Sequence, residues 1–69
     1  MNLYFQHSDG RHSLVAENVD PKNALSLIYA DVAKRNPRYE IYYVRRWERD
    51  GVTTYDVGSH TEFYVLKGE

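Results

Sequence analysis

The stretch Tyr39-Glu-Ile-Tyr-Tyr-Val-Arg-Arg-Trp-Glu-Arg49, then Asp50-Gly51, then Val52-Thr-Thr-Tyr-Asp-Val57 decides the fold. Aromatic and β-branched residues on both sides of an Asp-Gly pair predict a β-hairpin, because a type I′ turn needs positive φ at both central residues. Antiparallel partners count outward from such a turn. Arg49 is then opposite Val52, Arg46 opposite Tyr55, Arg45 opposite Asp56 and Val44 opposite Val57. Side chains alternate, so Tyr42, Val44, Arg46, Tyr55 and Val57 share one face, and Ile41, Tyr43, Arg45, Trp47, Thr54 and Asp56 share the other. Both faces carry rings. A single covering helix shields one of them, which leaves the other for a second subunit, a ligand or solvent.

Working outward to the N-terminal side, Asp20-Pro21 opens a helix. Asp is a favoured N-cap, and proline at the first helical position gives up an N–H that has no intrahelical partner. Leu25, Ile28, Tyr29 and Val32 fall at i, i+3, i+4 and i+7, the stripe of an amphipathic helix over Pro21 to Arg35. Asn36-Pro37 ends it, since Asn tolerates a left-handed C′ position and the residue before proline avoids the α region. Before the helix, Leu3 and Phe5 alternate with Asn2, Tyr4 and Gln6, Ser8-Asp9-Gly10 breaks the pattern, and Leu14, Val15 and Val19 resume it. This is a second hairpin, with Leu3, Phe5, Leu14 and Ala16 expected on its core face and Tyr4 and Val15 turned away. Asn2 to Gln6 also matches most of a protease site used in expression tags, but Met1 precedes it and His7 follows, and the segment reads as a native strand. After the central hairpin, Gly58 marks a bulge or bend, and Thr61 to Lys67 alternates Phe63 and Val65 against Tyr64 and Leu66 as a last strand. The expected fold is α+β: one domain over residues 1–69, element order ββαβββ, an antiparallel sheet with one helix packed on one face.

The 69 residues contain no cysteine and carry a formal net charge of -1. A chain this short buries only about 60% of its unfolded surface, and scaffolds below roughly 70 to 80 residues usually add a disulfide, a metal or a partner chain. Self-association into a homo-oligomer is the expectation. No global field draws the chain to nucleic acid or to an anionic membrane, no apolar run approaches the roughly 18 residues of a membrane span, and no leader pattern opens it. Together with the absence of thiols, these features predict a cytoplasmic protein.

Tyr42, Tyr43, Arg45, Arg46, Trp47 and Tyr55 supply flat stacking surfaces and guanidinium donors, the combination that recognises nucleotides. Equally, Arg45 opposite Asp56 and Arg46 beside Glu48 could be ordinary cross-strand pairs. An extended nucleic acid fits less well than a small nucleotide, because Glu40, Glu48, Asp50, Asp56 and Glu62 lie in or beside the same strands and repel a phosphate backbone. A pocket of about 300 Å³ or more has little room inside one small subunit, which favours a cleft between subunits. Gly58-Ser59-His60-Thr61 is a second candidate: its backbone N–H groups, two hydroxyls and imidazole could hold an anion, or form a hydrogen-bonded turn. His7, His12 and His60 do not make a zinc site, which takes three or four ligands in tetrahedral array. Ser59 and His60 are neighbours on a strand pattern and point to opposite faces, so they make no nucleophile and base. No phosphate-binding glycine loop is present, and neither a cofactor nor enzymatic activity is expected.

His7-Ser8-Asp9-Gly10, Glu17-Asn18-Val19, Arg35-Asn36-Pro37 and above all Tyr55-Asp56-Val57-Gly58-Ser59-His60-Thr61-Glu62-Phe63-Tyr64 carry a resemblance over nearly the whole chain. The sequence resembles small uncharacterised accessory proteins of tailed phages and prophages of Gram-positive bacteria. The resemblance implies a phage protein acting in the host cell on a host factor or a defence signal. The function expected is counter-defence by sequestering a small nucleotide-like signal at a subunit interface. The alternative is inhibition of a host enzyme docked on the same aromatic and arginine face.

Overall fold

The computed structural model describes residues 1–58 and 62–68. In chain order they form β1 (Asn2–Gln6), β2 (His12–Ala16), a 3-10 turn over Pro21–Asn23 that leads into α1 (Ala24–Arg35), β3 (Tyr43–Arg49), β4 (Val52–Gly58) and β5 (Glu62–Lys67). The fold is α+β, with the strands in one antiparallel sheet of order β2-β1-β5-β4-β3. β1 therefore lies inside the sheet, laddered to β2 on one side and β5 on the other, and the segment read as either strand or tag is a structural element.

The central hairpin forms as its turn dictates. Asp50 and Gly51 both have positive φ, 53° and 77°, the condition of a type I′ turn. The pairs Arg49 with Val52, Arg46 with Tyr55, Arg45 with Asp56 and Val44 with Val57 all occur. The strand begins later than the sequence suggests. Tyr39 to Tyr42 precede β3, so Ile41 is free to turn inward and pack half-buried on the core, and Tyr42 stands 72% exposed with its hydroxyl donating to Glu40. At the far end of β4, Gly58 has φ 138° and pairs with Tyr43, a backbone position that suits glycine alone.

The helix starts as read: the Asp20 carboxylate accepts from the Lys22 N–H, with Pro21 in the first turn. Its buried stripe is rotated from the expected one. Ala24, Ile28 and Val32 are buried, Leu25 and Leu27 pack at the sides, and Tyr29 is 44% exposed. Asn36 ends the helix at φ −148° and ψ 90°, so the constraint of the following proline, and not left-handed geometry, terminates it. Under the helix, Leu3, Tyr55, Val57, Tyr64 and Leu66 from the sheet, with Val19 from the connection, complete the core.

The first hairpin departs from strict alternation. Leu3 pairs with Ala16 but Tyr4 pairs with Leu14, so the register shifts by one residue. Val15 is the extra residue of a β-bulge, and a bulge exchanges the faces of everything beyond it. Leu14, expected in the core, is half exposed beside Tyr4 on the side away from the helix, while Val15 packs against the core.

Candidate functional site

The face of the sheet opposite the helix is assembled from alternate residues of all the strands. Pairing places Tyr4, Val65, Thr54 and Trp47 in one row across β1, β5, β4 and β3, with Leu14 of β2 beside Tyr4. The next row is His12, Gln6, Phe63, Asp56 and Arg45. With neighbouring strands about 4.8 Å apart, Tyr4 and Trp47 stand about 14 Å apart at the ends of a shallow trough. Its floor is Val65, buried, and Thr54, half-buried. Phe63 meets Trp47 edge to face, with centroids 6.3 Å apart, and Trp47 is 46% exposed. Tyr43 lies along the same edge strand, and an open recess of about 410 Å³ adjoins it and Arg45.

The charges on this face are one-sided. Arg45, Arg49 and Lys67 alternate into it with His12, and Asp56 is the one carboxylate among the described strand residues that does so. Asp56 is buried and its Oδ2 accepts from both Nε and Nη2 of Arg45, at 3.1 and 2.5 Å. Its Oδ1 has no hydrogen-bond partner among the described residues. Arg45 also lies over the Tyr43 ring, 5.5 Å from its centroid. Lys67 Nζ stands 4.9 Å over Tyr4 and donates to His12 Nδ1 at 3.2 Å. The His12 pKa is held below its ordinary value by partial desolvation first and then by the charges of Lys67 and His7, which favours the neutral imidazole, the form that can accept a hydrogen bond from Lys67.

On the helix side lies a second polar cluster. Tyr64 donates to Asp31 Oδ2 at 2.6 Å, and Arg35 Nε donates to the same oxygen. The Arg35 guanidinium sits 4.2 Å over Phe5, whose ring meets both Tyr64 and His7 edge to face. Burial, then the bond to Asp31 and its charge, push the Tyr64 phenol well above the usual tyrosine value. Tyr64 is fully buried, so its bond to Asp31 ties helix to sheet. At the sheet's end, Phe5, Gln6, His7, Ser8, Glu62 and Phe63 line a cleft of about 490 Å³, a volume in the range of ligand pockets.

The residues picked out by sequence are thus divided. Tyr43, Arg45 and Trp47 share the open face; Arg46 and buried Tyr55 point to the helix side; Tyr42 stands apart in the approach to β3. Ser59, His60 and Thr61 lie outside the described residues. His7 bonds Ser13 while His12 bonds Gln6 and Lys67, so these two imidazoles turn to opposite faces of the first hairpin. Among the described residues no cluster of three or more His, Cys, Asp or Glu could hold a metal ion, and no helix is long and apolar enough to cross a membrane. Phe63, Arg49 and Lys67 join the face although sequence reasoning did not assign them to it, and Tyr4, read as turned away from the core, joins it too. Their alternation was visible, but their neighbours depend on strand order. No family model, no curated protein and no solved structure matches this chain.

Proposed function

We propose that this chain is a non-enzymatic binding protein, a phage accessory protein of the counter-defence kind its sequence resembles, which sequesters a small nucleotide-like host signal inside the host cell. The observation that supports this is the uncovered sheet face on which Tyr43, Trp47 and Phe63 stand beside Arg45. Rings of this kind stack on a base, and a guanidinium presents donors to phosphate. β3 is an edge strand, and its outward residues are exposed along most of its length. A second copy beside that edge would close the recess at Tyr43 and Arg45 into the subunit-boundary site that a chain of this size favours.

Titration calorimetry with cyclic nucleotides and ADP-ribose derivatives tests the reading. Saturable heat from one of them, lost in Trp47→Ala, is the expected result; no heat from any of them overturns it. A second reading, inhibition of a host enzyme, is favoured by the shallowness of the surface and by the exposed Trp47, since Trp, Tyr and Arg are the usual anchors of protein interfaces. It predicts a stoichiometric host protein retained on the immobilised chain and lost with Trp47→Ala.

A further inference from the structure

We propose that the open face of the sheet binds a short single strand of nucleic acid, with two or three unpaired bases against Trp47, Phe63 and Tyr4 and the phosphates against Arg49 and Lys67. The proposal uses the same face as the small-ligand reading but does not require a mononucleotide site.

Three features of the face point to a strand. The first is the spread of rings: Trp47 and Phe63 touch, and Tyr4 stands in the same row as Trp47 beyond the low floor of Val65 and Thr54. Sheets that hold single strands use such a platform, stacking two or three bases on neighbouring strands. The second is the separation of charge. Counting carboxylates along the chain argues against a polyanion, but Glu48 and Glu62 pair with Thr53 and Val57 on the helix side, and Asp56 is buried against Arg45. The remaining acids near the face are peripheral: Asp50 is in the turn, and Glu40 precedes β3 and accepts from Tyr42. Arg49 is left to face a ligand, and Lys67, bonded to His12 and lying over Tyr4, and the outer edge of Arg45 add positive charge beside it, which complements a phosphate backbone. The third is shape. The trough is long and open, suited to a chain lying across strands, and a duplex would offer it no base faces.

The chain contains a single tryptophan, so Trp47 reports contact directly. Fluorescein-labelled hexamers of dU and of U are titrated at low salt, followed by anisotropy and by Trp47 emission, with a mononucleotide and a blunt duplex alongside. The expected result is saturable binding of the hexamers with quenching of Trp47. Trp47→Ala should weaken binding by roughly five-fold or more, and Arg49→Gln, an exposed position, should flatten the logarithmic salt dependence by about 0.7. Circular dichroism confirms that both variants fold. A stronger response to U than to dU supports a strand whose 2′-hydroxyls are read; equal responses support recognition through what RNA and DNA share. The proposal is overturned if neither hexamer changes either signal, if Trp47→Ala binds undiminished, or if the duplex binds as well as the single strands. It is also overturned if sedimentation shows a dimer that shields Trp47 from acrylamide, or if a host protein occupies the face and the hexamers do not compete. The two functional readings fail separately: hexamer binding with a silent mononucleotide panel removes the small-ligand reading alone, and the reverse removes this one.

Discussion

Replacing Arg45 with methionine separates the chemistry of the open face from its packing. Asp56 is 1% exposed, its Oδ2 takes both bonds from Arg45, and its Oδ1 has none among the described residues, so the guanidinium is the charge partner the structure shows for this carboxylate. Stripping the partner from a fully buried pair costs roughly 3–5 kcal/mol. The Arg45 side chain is 68% exposed, which puts this pair well below that range, at about 1–3 kcal/mol for leaving a buried acceptor unsatisfied. In a domain of this size each kcal/mol lowers Tm by about 4–8 °C. Arg45→Met should therefore lower the midpoint of a thermal melt, followed by circular dichroism, by roughly 5–20 °C. Arg45→Met with Asp56→Val should recover most of that loss, because the desolvation cost disappears with the charge. If the single variant melts within about 2–4 °C of the parent, as a plain surface substitution does, Asp56 does not depend on Arg45 and the account of the pair is wrong. The result also bears on function, since an arginine committed to Asp56 through Nε and Nη2 can offer phosphate only its three remaining N–H groups without giving up the pair.

Leu14→Lys should change stability by no more than about 0.5 kcal/mol, whereas Leu3→Ala should cost roughly 2–5 kcal/mol; paired urea melts test the bulge at Val15, which is wrong if both cost alike. Gly51→Ala should cost about 1–2 kcal/mol by the same assay, because alanine must then adopt the left-handed conformation that glycine takes at φ 77°. The Tyr64 phenol ionises above the usual tyrosine value of 10.0 in the fold, so its contribution is complete below that pH, and stability falls as the pH rises above it and the unfolded chain alone releases the proton. Absorbance at alkaline pH should show a tyrosine ionising together with loss of structure, and Tyr64→Phe should remove that step; a native chain that ionises as many tyrosines with Tyr64 as without it, and no more on unfolding, would refute it.

Legibility in the sequence followed the range of the interaction that sets each feature. The central hairpin was readable because a two-residue turn fixes the count: once Asp50 and Gly51 take positive φ, every partner from Arg49 with Val52 outward follows. The helix was readable at its start for the same local reason, through Asp20 and Pro21. Its buried stripe was not, because Tyr29 and Ala24 are both compatible with an amphipathic pattern and the sheet decides between them. A hydroxyphenyl ring fits the solvated side and alanine permits close approach. Leu14 was misplaced because a bulge leaves no mark in the alternation of Ser13-Leu14-Val15-Ala16. Arg46 and Tyr55 were grouped with Arg45 and Trp47 by composition, although the period of the strand sends them to the other side.

The open face is the feature least accessible to local reasoning, and the reason lies in its construction. Trp47, Phe63 and Arg45 belong to the β3-β4-β5 meander, where short turns bring them together, and a reader of that segment alone can assemble half the platform. Tyr4, His12 and Leu14 reach it only through the ladder between β1 and β5, which joins residues at opposite ends of the chain. The same ladder brings Lys67 over Tyr4 and beside His12, and stands the rings of Tyr4 and Trp47 at opposite ends of one row. The closure that completes the core around Leu3, Tyr64 and Leu66 therefore also completes the open face with its rings and cations, so a loss of the β1–β5 ladder would remove fold and face together.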